Sequence, residues 1–222
     1  MPTIAIVGAG PGLGLALARQ FGREGFTAAL VARNESRLAE LVETLTAEGI
    51  ETAAFVADTA DIPALEAALV AARARFGGID VLEFSPYAAG PGSMLDPRDV
   101  TVDALRPVIE SHLFGAVAAI QNVLPAMRAE GSGTILLTAG IGSIEPVAVF
   151  GALNTAQAAT RNLALNLNGT LADSGVHVAH VAIGVFVGDE APEGRPHRSP
   201  AEIADRLWQL HTERDQRELV IR

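Results

Sequence analysis

The chain has no cysteine and no lysine, and only one tyrosine and one tryptophan, in 222 residues. Without cysteine there are no disulfides, no thiolate nucleophile and no cysteine-ligated zinc. Without lysine, all 16 basic residues are arginine, an absence that bears directly on the candidate site. No apolar run reaches the length of a membrane span without a glycine, polar or charged interruption, so no membrane association is expected. Positive charge is scarce as well. The net charge of −10 argues against nucleic acid or an anionic membrane as a partner. His177, His180, His197 and His211 lack metal-binding spacing, and His177 and His180 are expected to have no carboxylate partners nearby, so no metal is expected. The chain runs straight into an apolar strand with no basic leader, which makes the cytoplasm the expected compartment.

What is present is a globular composition, 49% hydrophobic and 19% charged, at a length that suits one domain with a sizeable core. The most informative stretch is Val7-Gly8-Ala9-Gly10-Pro11-Gly12-Leu13-Gly14. It follows the apolar run Ile4 to Val7 and precedes a stretch of helical spacing from Leu15 to Phe21. Strand, glycine turn and helix start form the context in which such glycines bind a dinucleotide. Gly8 permits a tight turn, Gly10 and Gly12 let the backbone approach a pyrophosphate, and Gly14 lets the helix pack closely. Phosphate then meets the free N–H groups of the helix start.

Beyond the turn, strand-like and helix-like stretches alternate. Strands are expected at 27–32, 52–56, 79–84, 134–138, 176–183 and 218–221. Helices are expected at 13–24, 35–48, 62–76, 102–130, 149–173 and 201–214, with loops at 85–97, 139–146 and 184–200. The alternation predicts an α/β Rossmann-like fold: a doubly wound parallel sheet of about seven strands, helices on both faces, in a single domain. The helices at 102–130 and 149–173 are apolar on more than one face, which predicts a homodimer or homotetramer built on them.

In dinucleotide folds the residue ending the second strand reads the adenosine ribose. An acidic residue there favours NAD, and an arginine accommodates a 2′-phosphate. That position holds Arg33, with Arg37 one turn on, so the expected cofactor is NADP(H) rather than NAD(H). Asp58, just after the third strand, is placed either to hydrogen-bond the adenine edge or to cap a turn.

The spacing Gly8-x-x-x-Gly12-x-Gly14, Asp58 after the third strand, Ile79-Asp80-Val81-Leu82, Leu113-Phe114-Gly115 and Val181-Ala182-Ile183-Gly184 together resemble the short-chain dehydrogenase/reductase family over essentially the whole chain. The resemblance implies a nicotinamide cofactor held by Gly8, Gly10, Pro11, Gly12, Leu13, Gly14, Arg33, Asn34, Asp58, Thr59, Ser85, Asn154 and Gly184. It also implies four catalytic side chains: a tyrosine, a lysine four residues later, a serine, and an asparagine in the preceding long helix. Those positions hold Phe150, Asn154, Gly140 (or Ala139 if the match slips by one) and His112. The Asn-Asn-Ala-Gly motif expected after the fourth strand reads Phe84-Ser85-Pro86-Tyr87.

With no lysine anywhere and the one tyrosine in another segment, no Tyr-x-x-x-Lys pair exists in this chain. Phenylalanine transfers no proton, and asparagine supplies no charge to depress a phenol pKa. His112, Tyr87 and Asn154 are the candidate substitutes, His112 as an acid near neutral pH, Asn154 as a neutral partner for the nicotinamide ribose. Thr138, Ser143 and Glu145 lie where active sites open in such sheets. The expectation is an NADP(H)-dependent oxidoreductase with a degenerate active site and an unknown small substrate. The alternatives are an inactive NADP(H)-binding sensor, scaffold or subunit partner, or a non-redox isomerase or cyclase.

Overall fold

Apolar β-branched runs form the strands, and the expected helix signals start and stop the helices between them. The computed structural model describes residues 1–86, 94–191 and 193–222. In chain order the elements are β1 (Thr3–Val7), α1 (Leu13–Arg23), β2 (Thr27–Ala32), α2 (Glu35–Ala47), β3 (Thr52–Val56), α3 (Ile62–Phe76) and β4 (Val81–Phe84). They continue with α4 (Val102–Ile109), α5 (Gly115–Glu130), β5 (Gly133–Gly140), α6 (Gly151–Thr170) and β6 (Val176–Ile183). The last are β7 (Phe186–Val187), β8 (His197–Arg198), α7 (Pro200–Glu213) and β9 (Glu218–Ile221).

Seven strands form one sheet in the order β3-β2-β1-β4-β5-β6-β9, and every pairing is parallel. β1 to β6 and β9 are therefore the doubly wound sheet that the alternation predicted. One face is covered by α1, α2 and α7 through Leu17, Phe21, Leu38, Leu45, Ile203 and Leu207. The other is covered by α3, α5 and α6 through Leu65, Leu69, Ala119, Val123 and Ala164. Both faces of the central strands are buried, which is why those strands read as continuous apolar runs rather than alternating ones, while the edge strands β3 and β9 are partly exposed. The chain leaves β1 toward β2 on one side and returns to β4 on the other, so the switch point lies between β1 and β4.

Capping is as the sequence indicates. The Asn34, Asp61 and Ser199 side chains accept N–H bonds at the starts of α2, α3 and α7, and Ser199 with Glu202 completes a capping box.

Two stretches differ from expectation. The helix expected over 102–130 is divided by one π turn at Glu110–Phe114, closed by a bond from the Gly115 N–H to the Glu110 carbonyl. The cause lies in the side chains of Ser111 and His112. Ser111 Oγ donates to the Val108 carbonyl at 3.3 Å and His112 Nδ1 lies 3.2 Å from the same oxygen, intruding on the i to i−4 ladder. The stretch expected to be a plain loop over 184–200 carries a two-residue parallel ladder, β7 with β8.

Candidate functional site

At the end of β1 the glycines divide by task. Gly8 has φ +102°, and a Cβ there would collide with the Ser85 carbonyl. A Cβ on Gly14 would lie 2.9 Å from the Ala9 Cα, a backbone contact that cannot yield. Those two positions need glycine to close the turn and seat α1. At Gly10 and Gly12 a Cβ would meet nothing within 4 Å, so the turn is open on that side. Pro11 is exposed and Leu13 half-buried, and Leu13 packs toward the α1 core. The N-cap of α1 is Gly12, with no side-chain cap and no acidic residue in the first turn. Beyond the Leu15 N–H, which is bonded to the Gly10 carbonyl, no side chain competes with an anion for the start of α1 and the positive end of its dipole.

One strand over, Arg33 and Asp58 follow the paired strand ends of β2 and β3 and face each other across a 3.6 Å ion pair. Arg33 is 62% exposed and Asp58 41%, so both remain accessible to a ligand. Asp58 also accepts the Ala60 N–H through Oδ1, closing a turn. Asn34, beside Arg33, caps the next helix. Its Oδ1 accepts both the Arg37 N–H and the Ser36 hydroxyl, which commits the side chain to capping α2. Thr59 is seated by Gly115 of α5, whose missing Cβ would lie 2.6 Å from the Thr59 carbonyl. Gly184, at the far end of β6, donates its N–H to the Ile221 carbonyl at 2.8 Å.

The structure adds Glu83, a residue that sequence reasoning passed over. It sits within β4 between Leu82 and Phe84 and is 0% exposed. Its Oε2 accepts the Ser85 hydroxyl at 2.9 Å, while its Oε1 is buried without a partner. Thr138 Oγ1 is also buried without a bond of acceptable geometry, yet it lies close enough to Glu83 to act on its carboxyl. Burial pushes the Glu83 carboxyl up to about 7, and the Thr138 and Ser85 hydroxyls pull against that. The Ser85 hydroxyl turns inward to Glu83. The sequence signal was available as one charge inside Val81-Leu82-Glu83-Phe84, an otherwise apolar strand.

On the opposite side stand the candidates at α4, α5 and α6. His112 is 5% exposed, and its Nδ1 lies 2.9 Å from Ser111 Oγ as well as beside the Val108 carbonyl. Burial holds its pKa below the ordinary histidine value, against the Val108 carbonyl, so the imidazole is neutral at pH 7. Gly140 donates its N–H to Gln157 Oε1, and its carbonyl accepts the Ser143 hydroxyl at 2.8 Å. Phe150 is half-buried at the N-cap of α6. Asn154, 8% exposed, donates Nδ2 to the Val147 carbonyl at 2.8 Å and rests Oδ1 against Gly142. Glu145 pairs with Arg222 at the surface. Tyr87 lies outside the described residues.

The histidines of β6 call for one correction. His180 does have a carboxylate partner: its Nδ1 lies 3.1 Å from Glu218 Oε1, and Arg161 grips the same carboxylate with two bonds. Glu218 is 38 residues away in sequence, and the pairing of β6 with β9 brings it beside His180. The cluster holds one carboxylate between an arginine and a histidine, and among the described residues no group of three or more His, Asp or Glu side chains could hold a metal ion.

Residues 2–197 match the short chain dehydrogenase family. Oxidoreductase asL5 of Sarocladium schorii is 31% identical over 179 residues, which cover 79% of this chain and 68% of that protein. L-sorbose reductase from Gluconobacter frateurii, solved with NADPH and L-sorbose, superposes with a TM-score of 0.86 at 24% identity, over 99% of this chain and 94% of the other. The alcohol dehydrogenase from Thermococcus sibiricus, solved with 5-hydroxy-NADP, superposes with a TM-score of 0.83 at 25% identity, over 100% of this chain and 96% of the other.

Proposed function

Since the chain belongs to the short-chain dehydrogenase family, we propose that it is an NADP(H)-binding oxidoreductase with a degenerate proton-transfer site. The observation that carries the cofactor reading is the shape of the crevice at the β1–β4 switch point. The backbone at Gly10 and Gly12 is open, the start of α1 is uncapped, and Arg33 stands exposed one strand away. Pyrophosphate fits the turn, and a 2′-phosphate fits the guanidinium fork of Arg33, with Asp58 orienting that fork from its other side. Solved neighbours bound to NADPH or 5-hydroxy-NADP support the same choice.

When bound, the cofactor supplies a hydride to or from a small carbonyl or alcohol. This chain's residues would position it: the glycine turn and α1 at the phosphates, Arg33 and Asp58 at the adenosine end, Gly184 at the nicotinamide end. Proton transfer is the weak part. Phe150 and Asn154 stand at the positions the resemblance assigns to tyrosine and lysine, and a positioned acid typically contributes roughly 10²–10⁴-fold. His112 is neutral and bonded to its own helix, which leaves it a poor acid at pH 7. An NADP(H)-binding protein without turnover is the second reading. It is favoured by Asn154, whose amide is already committed to Val147. The exposed apolar side chains Val102 and Phe114 on the α4–α5 helix support a homo-oligomer built on that face.

Calorimetric titration tests the cofactor reading: NADPH binds more tightly than NADH. Equal affinity, or preference for NADH, refutes the assignment of Arg33. Assay of the NADPH-loaded protein against a panel of aldehydes and ketones tests the second part. Only slow turnover is expected, and rapid reduction would show that the proton-transfer site is intact.

A further inference from the structure

Glu83 has no part in the reading above, yet it is placed at the structural centre of the crevice. β4 pairs with β1 in the register Ile6 with Glu83 and Val7 with Phe84. The next residue on each side is Gly8, which opens the glycine turn, and Ser85. Ser85 donates its N–H to the Val7 carbonyl at 2.8 Å, and its own carbonyl fills the space where a Gly8 side chain would lie. Its hydroxyl then reaches back to Glu83 Oε2 at 2.9 Å. A short path therefore runs from the buried carboxyl through one serine to the turn. By strand alternation Glu83 shares the face of Val81, which packs into the α1, α2 and α7 core.

Building on the reading of this crevice as an NADP(H) site, we propose that Glu83 is a positioning residue for the dinucleotide: its carboxyl accepts the Ser85 hydroxyl behind the Gly8 turn, and binding of the anionic cofactor takes up a proton at Glu83. The proton comes from solvent and converts the carboxylate to the neutral acid; no other bond is made or broken.

Two features favour the protonated form. First, Glu83 is fully buried, with Oε1 and Thr138 Oγ1 both lacking partners. A carboxylate would be a buried charge held by the Ser85 hydroxyl alone; the Ser85 and Thr138 hydroxyls favour that charge, and burial outweighs them. Second, a carboxylate here would set a buried negative charge behind the turn that receives the pyrophosphate. In a low-dielectric interior that repulsion is strong, so a bound anion favours the neutral acid. The groups that act on the carboxyl are burial, Thr138 of β5 and Ser85, with no charged side chain among them. Its register neighbours, Ile6 of β1 and Leu136 of β5, are apolar.

The test is calorimetry of NADPH binding to the full chain in buffers of different ionisation enthalpy, repeated with Glu83→Gln. At pH 7 the wild type takes up roughly half a proton more than Glu83→Gln, because the free carboxyl titrates near 7. Wild-type affinity falls about tenfold between pH 6 and 8 relative to Glu83→Gln, the loss of the binding-competent fraction. Repeating the titration with NADH removes the ionisation of the 2′-phosphate from the comparison. Ser85→Ala, which deletes a hydrogen bond that lowers the Glu83 pKa, moves the midpoint of this pH dependence upward. No proton uptake by the wild type with NADH, or identical uptake by wild type and Glu83→Gln, overturns the proposal while leaving the cofactor reading intact. Failure of wild type to bind either nucleotide overturns both. The wild-type measurement decides even if Glu83→Gln does not fold.

Discussion

Replacing Glu83 by glutamine should change how stability depends on pH, whether or not a nucleotide is bound. In the folded chain the carboxyl titrates near 7, against an ordinary value of 4.5. Between those two pH values the unfolded chain has released a proton that the folded chain still holds. Stability therefore falls as pH rises through this window, by up to about 1.4 kcal/mol per pH unit, and levels off above 7. The whole step is roughly 3 kcal/mol, a large share of the 5–15 kcal/mol typical of a domain. Glutamine keeps the acceptor for Ser85 and adds a donor for Thr138, so it preserves the local bonds and removes only the titration. Urea unfolding of both proteins at pH 5, 6, 7 and 8 measures this directly. The wild type should lose roughly 2.5 kcal/mol more than Glu83→Gln between pH 5 and 8, the part of the step that falls in that range. Parallel curves for the two proteins would show that Glu83 titrates normally and that burial does not hold its proton.

Arg33→Ala should weaken NADPH binding by about tenfold or more, the worth of a charge-assisted contact, and leave NADH within a few-fold; calorimetry with both nucleotides separates the outcomes. Gly14→Ala forces a Cβ to within 2.9 Å of the Ala9 Cα. It should lower stability by roughly 1–3 kcal/mol, as overpacking against backbone does, and a urea midpoint equal to wild type would refute the close seating of α1. His211, packed among Phe21, Phe26 and Trp208, has its pKa pushed down to about 4 by burial, with smaller effects from Arg214 and His177. Its contribution is present above the ordinary histidine value of 6.5 and is lost as pH falls toward 4, so His211→Gln should flatten unfolding stability between pH 6.5 and 4.5.

The sheet was legible because both faces of its central strands are buried, so most strands are largely apolar runs between glycine stops and helix caps. Gly25, Gly49 and Gly77 end helices at positive φ, and Asn34, Asp61 and Ser199 begin them. Such signals act within a few residues and survive in one dimension. The glycine turn was legible for the same reason, down to the division between Gly8 and Gly14, which close it, and Gly10 and Gly12, which leave it open. What sequence could not supply were pairings across strands. Glu218 meets His180 only because β9 lies beside β6. Thr138 lies near Glu83 only because β5 lies beside β4. The π turn at Glu110–Phe114 depends on two side chains bending back to one carbonyl, and helical periodicity carries no trace of that choice.

The segment between β5 and α6 shows how neutral residues organise a place where the family resemblance leads one to expect a charge. Asn154 is short and buried, with its amide donated to the Val147 carbonyl and its oxygen filling the space where a Gly142 side chain would lie. Ser143 returns its hydroxyl to the Gly140 carbonyl, and Gln157 accepts the Gly140 N–H. Every one of these bonds is made within the segment itself or to the first two turns of α6. A lysine at 154 would lose the Val147 bond and bring an ammonium into a buried place, while Glu145 of the same segment is paired with Arg222. Burying an unpaired charge costs several kcal/mol. The loop and the helix are thus mutually fitted to a neutral residue, and the buried carboxyl of Glu83 lies on the other face of the sheet, beside the Gly8 turn.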